Sequence, residues 1–317
     1  MKLFTAFFRL IRWPNLAFIV VTQLLFYYAI VTPLNHVTGG QWLFDSAHLV
    51  ILIASSVVIA AAGYIINDYF DLNIDRFNKP DKLVVEKLIK RRWAIVFHIL
   101  LSTTGILLSV YIDFKEHLIW LGFSNFICVM LLFGYSASLK KKFLSGNVVI
   151  SLLTAWVVLV VFFCYYFKGV YRQSGDYGLV KIYLNRFIKL SFLYAGFAFI
   201  ISLIREVIKD MEDMEGDARY GCRTMPIVWG IPAAKVFTGV WLIVLTGALI
   251  ILQFYALHLG WWWSVAYAVL TLIIPLLWIL RKLYTAQVAK DYHLLSTAVK
   301  AVMLAGILSM IFFRIYA

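Results

Sequence analysis

Two acidic stretches hold the residues best suited to chemistry. The first reads Asn67-Asp68-Tyr69-Phe70-Asp71-Leu72-Asn73-Ile74-Asp75, the second Asp210-Met211-Glu212-Asp213-Met214-Glu215-Gly216-Asp217. In each, three aspartates are separated by three and then four residues. On an α-helix such positions fall within an arc of roughly 60°. Like charges so placed destabilise a helix by a few tenths of a kcal/mol per pair. Doing this twice, each time at the end of an apolar run, implies a bound counter-ion. Clustered carboxylates suit hard cations, and Mg²⁺ combines one or two of them with substrate phosphates. The plainer alternative is a pair of solvated helix ends. The repeated spacing and the expense of charge near a membrane argue against it.

Cations accompany both stretches. Arg76-Phe77-Asn78-Lys79-Pro80-Asp81-Lys82 follows the first, and Pro80 turns the chain so that Lys79 and Lys82 approach the carboxylate face. Arg205-Glu206-Val207-Ile208-Lys209 precedes the second. Arg205 and Lys209 share a helix face, and Arg205-Glu206 closes a long apolar run, so that both sit below the headgroup level. Arg219, Gly221, Arg223, Thr224 and Pro226 come after it, and a third group is Tyr135-Ser136-Ala137-Ser138-Leu139-Lys140. Lys140 reads equally as a phosphate ligand and as loop charge; Lys141, Lys142, Arg91 and Arg92 read better as loop charge. Carboxylates alone would bind metal, and cations alone would bind phosphate. Together they suit a Mg²⁺-chelated diphosphate whose remaining oxygens take Lys and Arg. Apolar and aromatic walls would shield an isoprenoid tail and stabilise a developing carbocation. The chemistry implied is ionisation of an allylic diphosphate, with Asp68 or Glu206 near enough to take the acceptor's proton. Lys300, deep in the last apolar run, either faces this cavity or snorkels.

The elements that must position these groups are membrane helices. The chain has 317 residues, 63% of them hydrophobic, with a mean hydropathy of +0.88, against about 45–50% apolar for a soluble domain. Aromatics at 17% fit interfacial belts. The formal charge of +13 does not indicate nucleic acid, because the basic residues occupy short loops between apolar runs. Cys128 and Cys164 lie in apolar runs and Cys222 beside the second acidic stretch; without a CxxC pair, neither zinc nor a disulfide framework is indicated. Cys222 reads as a small filler rather than a reactive thiol. Met1 to Arg12 lacks the pattern of a signal peptide, so the first span serves as the insertion signal. Residues 2–15 read as an interfacial lead-in. Nine apolar runs of near-spanning length follow, at 16–33, 47–67, 92–112, 117–138, 147–167, 187–208, 232–257, 261–280 and 294–315,. They make one domain, 1–317. The stretch 168–186 reads as a polar outer loop. An apolar helix, acidic cluster, basic loop and second apolar helix recur faintly at 47–112 and 187–257. Roughly three quarters of the 29 Lys and Arg residues fall on the side of the N-terminus, which places that end and both acidic stretches in the cytoplasm and the C-terminus outside the cell's inner (plasma) membrane. An error of one span would separate the two stretches.

Asn67-Asp68-x-x-Asp71-x-x-x-Asp75 with Asn78-x-Pro80 resembles the first signature of the UbiA superfamily of intramembrane prenyltransferases. Asp210-x-x-Asp213-x-x-x-Asp217, with Arg205-Glu206 before it and Gly221 and Thr224-x-Pro226 after it, resembles the second, and Tyr135 to Lys140 resembles the tyrosine–lysine element after the fourth helix. The resemblance covers essentially the whole chain. It implies an all-α bundle of nine transmembrane helices around a central cavity that opens laterally to lipid, and Mg²⁺-dependent prenyl transfer. It implies one metal–diphosphate site at Asn67, Asp71 and Asp75 and another at Asp210, Asp213 and Asp217. Asp68, Asp71, Asp213, Lys140 and Arg205 are then the catalytic candidates, and Asn67, Lys79, Lys82, Tyr135, Lys140, Arg205, Lys209 and Arg223 the substrate-binding ones. Within the superfamily, the second stretch is most similar to digeranylgeranylglyceryl phosphate synthases. Where the family often has Arg-Pro and a Gly, this chain has Asp81-Lys82-Leu83-Val84-Val85-Glu86. The expected partners are an isoprenyl diphosphate, best geranylgeranyl diphosphate, a lipophilic acceptor, best geranylgeranylglyceryl phosphate, and the bilayer, with no nucleic acid and no protein partner evident. An aromatic acceptor is the alternative within the enzyme class. A transporter for a cation or phosphorylated solute is the alternative outside it, disfavoured because the carboxylates gather at one surface rather than at mid-membrane. A non-catalytic scaffold is disfavoured by the intact aspartates.

Overall fold

In hydrocarbon every backbone N–H and C=O must be satisfied internally, so a chain this apolar folds as helices. The computed structural model describes residues 2–33, 44, 46–78, 85, 89–171 and 177–316. Among these residues there is no β-strand, only an isolated bridge between Val85 and Ile89. Helix α1 (Lys2–Leu10) buries Ala6 and Leu10 and exposes Phe8, the two-faced lead-in expected. Pro14 opens α2 (Trp13–Phe26), where its missing N–H is harmless, and α2 continues as a π-helical turn, Tyr27–Val31. Then come α3 (Ser46–Asn78), α4 (Arg91–Glu116), α5 (Leu121–Ala137), α6 (Ser145–Tyr171) and α7 (Tyr177–Glu212). Two short helices, α8 (Met214–Arg219) and α9 (Met225–Val228), precede α10 (Gly230–His258), α11 (Trp262–Thr285), α12 (Ala289–Leu308) and α13 (Ile311–Tyr316).

Among the described residues eight helices are long and apolar enough to cross a membrane, and Leu121–Ala137 is a shorter apolar one. The run at 117–138 therefore supplies less helix than its hydropathy suggests. His117 takes a left-handed conformation that ends α4, and Asp113 accepts the Leu121 and Gly122 N–H groups at 3.0 and 2.7 Å. Residues 117–120 thus form a turn. Apolarity alone does not separate such a turn from helix. The supposed outer loop also differs: α6 runs to Tyr171 and α7 starts at Tyr177, with 172–176 outside the described residues. Residues 177–186 therefore belong to a helix rather than a loop.

Helix α3 lies along α4, and α7 lies along both α6 and α12. Gly105 lets α4 approach α3; a Cβ there would collide with Ile59, the small-residue contact usual between membrane helices. One core gathers Phe26, Leu52, Ile112, Leu121, Val161 and Tyr165. A second joins α7, α10, α11 and α12 through Ile204, Leu242, Leu276 and Val299. Large apolar side chains such as Phe114, Ile119, Phe123, Ile251 and Trp263 are exposed, which in this setting means facing lipid. At one end of the bundle Glu116 accepts from Lys168 at 2.6 Å and faces His48 Nδ1 at 2.5 Å, tying α3, α4 and α6 together. Both acidic stretches lie at the other end, and α5 runs between the two: it starts on Asp113 and finishes just before Lys140, which reaches Asp71.

Candidate active site

The apolar run that ends at 67 does not end its helix. α3 continues to Asn78, so Asp68, Asp71 and Asp75 share one face, as their spacing predicts. Asn67 Nδ2 donates to Asp71 Oδ2 at 2.7 Å, and Lys140 reaches the other Asp71 oxygen and lies 3.4 Å from Asn67 Oδ1. The short 3₁₀ turn Leu139–Lys141 after α5 delivers that lysine. Burial, followed by the charge of Lys141, pulls the Lys140 ammonium down to about 7. The charges of Cys222 and Asp217 pull the other way. Asp68 is taken by Arg12 Nη2 at 2.7 Å, and the same guanidinium lies 5.3 Å from the centre of the Tyr64 ring.

The second triplet is not a copy of the first. α7 stops at Glu212, Asp213 sits at φ −96°, ψ 4°, and Asp217 belongs to α8. The i to i−4 bonds continue through the bend: Asp213 N–H to Lys209 O at 2.9 Å and Asp217 N–H to Asp213 O at 3.1 Å. The three aspartates therefore keep helical register around a kink instead of a straight face. Asn147 of α6 donates to Asp210 Oδ2 at 2.7 Å. Asn78, the last residue of α3, donates to the Asp213 carbonyl at 3.4 Å and lies against Gly216, where any Cβ would overlap its side-chain amide. That contact brings the ends of the two acidic stretches together and explains why the second contains a glycine.

The sequence candidates distribute as follows. Arg205 and Lys209 both pair with Glu206, at 3.1 and 3.0 Å, so part of their charge is already balanced. Tyr135 stands centrally, within electrostatic range of Glu206, Asp210, Asp217 and Arg12. Arg219 stacks on Phe77 with 4.0 Å to the ring centre, and Arg91 on Tyr69 with 4.4 Å. Arg223 is exposed, and its N–H donates to the Lys141 carbonyl at 2.7 Å. A cavity of about 360 Å³ is lined by Lys141, Lys142, Phe143, Arg223, Val228 and Trp229, beside the carboxylates rather than on them. Lys79 and Lys82, with Pro80, Asp81 and Glu86, lie outside the described residues. Burial and then the Asp217 charge raise the Cys222 thiol above its ordinary value, which suits a filler and not a nucleophile. Arg12 and Asn147 were not singled out by sequence. Arg12 looked like one more loop charge; Asn147, a polar residue at the start of an apolar run, was the available signal.

Among the described residues no three His, Cys, Asp or Glu side chains converge closely enough to hold an ion. The two triplets are not preassembled cages, because Asp68, Asp71 and Asp210 are turned onto Arg12, Lys140 and Asn147. The donor set nevertheless fits Mg²⁺. A cation, the Lys140 ammonium, already sits between the Asn67 amide oxygen and an Asp71 oxygen, and those two hard donors with further aspartates one helical turn away are what Mg²⁺ takes.

The chain resembles known proteins in sequence and in fold. The chain is 32% identical over 173 residues to a digeranylgeranylglyceryl phosphate synthase from Thermococcus sibiricus, a match spanning 55% of this chain and about half, 53%, of that relative. The synthase from Methanosphaera stadtmanae matches at 27% identity over 82% of this chain and 86% of its own length. A UbiA homolog from Archaeoglobus fulgidus bound to GPP and Mg²⁺ superposes with a TM-score of 0.57 at 14% identity, covering 96% of this chain and 99% of that one; a likeness at that identity concerns the fold. The model of the UbiA prenyltransferase family matches residues 30–305, and the chain belongs to that family.

Proposed function

We propose that this protein is a membrane prenyltransferase that moves a prenyl group, best geranylgeranyl, from its diphosphate to the hydroxyl of geranylgeranylglyceryl phosphate. The observation that carries the reading is the meeting of both acidic stretches, through Asn78 with Asp213 and Gly216, beside a lysine held by Asn67 and Asp71. The relatives called digeranylgeranylglyceryl phosphate synthase support the acceptor. Nine crossings around a central cavity are inferred, with α5 as the ninth. Its 17 residues span about 25 Å at 1.5 Å each, and four crossings between Asn78 and Asp213 return the chain to the same side. The basic loops support a cytoplasmic site and N-terminus in the plasma membrane.

Asn67, Asp71 and Asp75 would hold one Mg²⁺ and Asp210, Asp213 and Asp217 a second. When bound, the ions neutralise the diphosphate and ease its departure. Lys140, displaced from Asp71, is in reach of the diphosphate oxygens. Tyr64 and Tyr135 offer ring faces to the allylic carbon as positive charge develops. The acceptor oxygen forms the new C–O bond as the C–O bond to diphosphate breaks. Its proton passes to a carboxylate, and Asp68 is the better placed: Arg12 holds one of its oxygens, while Glu206 already carries two cations.

The test is incubation of purified protein with radiolabelled geranylgeranyl diphosphate and a panel of acceptors, with Mg²⁺ or EDTA, and identification of the product by mass. Expected is the digeranylgeranyl ether of glyceryl phosphate, in the Mg²⁺ arm only. Prenylation of hydroxybenzoate or homogentisate alone replaces the acceptor assignment, and full activity in EDTA removes the metal. Cysteine labelling at positions 78 and 219 from one side and at 115 from the other tests the topology; labelling of 78 and 219 from opposite sides defeats a shared site.

A further inference from the structure

Lys300 interrupts the apolar face of α12 about halfway along the helix, where an ammonium is expensive unless it has work to do. Its Nζ donates to Asn15 Oδ1 of α2 at 2.7 Å and lies 5.2 Å from the centre of the Phe18 ring. No carboxylate pairs with it among the described residues, and a neutral amide satisfies one of its three donors. Across from it lies Arg205. His293 of α12 meets Glu212 of α7 at 2.8 Å, which fixes the register of the two helices. Lys300 is seven residues in from His293, and Arg205 seven residues in from Glu212. At 1.5 Å and 100° per residue, both lie about 10 Å below that rim, on the faces that meet there. The charges of Arg205 and Lys209 both act on Lys300. Arg205 Nε is buried and has no partner, although its Nη1 reaches Glu206. A buried orphan donor beside an ammonium without a carboxylate asks for an anionic acceptor.

We propose that Lys300 and Arg205 form the seat for the phosphate monoester of the acceptor, a level deeper than Asp210, Asp213 and Asp217 of the second acidic stretch. This rests on the reading above that the acceptor bears a phosphate. Separate seats for the two anions give the enzyme a way to tell its substrates apart. The donor brings a diphosphate that needs metal and stays with the aspartates. The acceptor brings a phosphate that binds bare cations, and its hydroxyl is thereby held between the two. The same chemistry is carried by bilayer phospholipid headgroups, which the test must separate from the acceptor.

Three variants of the full chain, purified in detergent, make the test: Lys300→Gln, Lys300→Arg and Asn15→Ala. Glutamine keeps a donor for Asn15 and loses only the charge. It should raise the acceptor KM at least about tenfold, the scale of a lost charge-assisted bond, with the donor KM unmoved. Lys300→Arg should restore most of the loss, and Asn15→Ala, which removes the amide and keeps the cation, should leave the acceptor KM near that of the wild type. Equal rises in both KM values, an unchanged acceptor KM in Lys300→Gln, or an Asn15→Ala variant as impaired as Lys300→Gln would each overturn the proposal, the last leaving Lys300 as a structural clasp. Lipid phosphorus that copurifies with the wild type but not with Lys300→Gln, with acceptor KM unchanged, would give the seat to a bilayer headgroup instead. Failure of the proposed function shows in the wild type itself, as turnover of unphosphorylated acceptors only, and overturns both; failure of this inference shows only between wild type and variant.

Discussion

The two acidic stretches share a spacing and differ in everything that surrounds it. The first lies on one unbroken helix, and its carboxylates are held by cations that arrive from elsewhere in the chain: Arg12 on Asp68 and Lys140 on Asp71. The second bends at Asp213; neutral amides reach it from other helices, Asn147 to Asp210 and Asn78 to the Asp213 carbonyl, and His293 meets Glu212. Its nearby cations Arg205 and Lys209 are absorbed by Glu206 on the same helix. In the proposed sites, a metal at Asp71 must displace an ammonium, whereas one at Asp210 meets a carboxylate oriented by an amide. Equal spacing therefore does not make equal sites. If the proposed sites hold, Asp71 exchanges a protein cation for a metal and Asp210 receives one directly.

The comparison can be broken most directly at the carboxylates themselves. Asp71→Ala and Asp213→Ala should each lower turnover by at least about two orders of magnitude, the loss typical when electrostatic stabilisation of a transition state is removed. Near-normal turnover in one of them would mean that only one stretch works on the substrate. A smaller effect, read as stability, tests the junction between the stretches. Gly216→Ala should destabilise the protein by about 1–3 kcal/mol, the usual range for overpacking, measured by thermal unfolding in detergent, and Asn78→Ala in the same chain should recover part of it. Absence of recovery would show that the close approach of Asn78 is not what requires the glycine.

Asn147→Ala should weaken the apparent Mg²⁺ affinity by about tenfold, as for other residues that orient a metal ligand, with donor binding in the absence of metal unchanged. Least in size, but sharpest for the comparison, is Lys140→Met. Removal of the competing ammonium should lower the Mg²⁺ concentration for half-maximal activity severalfold while turnover falls, because the diphosphate loses a cation. A higher Mg²⁺ requirement in this variant would show that Lys140 supports the metal and does not stand in for it.

Much of the molecule was legible in the sequence. Long continuous apolar runs dictated membrane helices, which satisfy every backbone group within the segment. The spacing of Asp68, Asp71 and Asp75 dictated a common face, and α3 carries them on one. The limits are equally physical. Hydropathy did not show that 117–120 is a turn, because the feature that stops the helix is the left-handed conformation of His117 with the Asp113 carboxylate below it. Nor did it show that α7 begins at Tyr177, since a short polar stretch fits the first turns of a helix as well as it fits a loop.

What the sequence determined by itself are relations over one or two helical turns: which residues share a face, which charges recur, which stretches are too apolar for water. Helix geometry fixes such relations locally, whatever the rest of the chain does. What only the tertiary structure decided is the pairing of groups far apart in the chain. Arg12 finds Asp68 across 56 positions, Lys140 finds Asp71 across 69, Asn78 finds Asp213 across 135, and Lys300 finds Asn15 across 285. No periodicity carries that information. It is set by which helices pack side by side and in what register, and hence by the complementary shapes of faces such as Gly105 on Ile59 and Gly216 on Asn78, where a single Cβ would hold the partners apart.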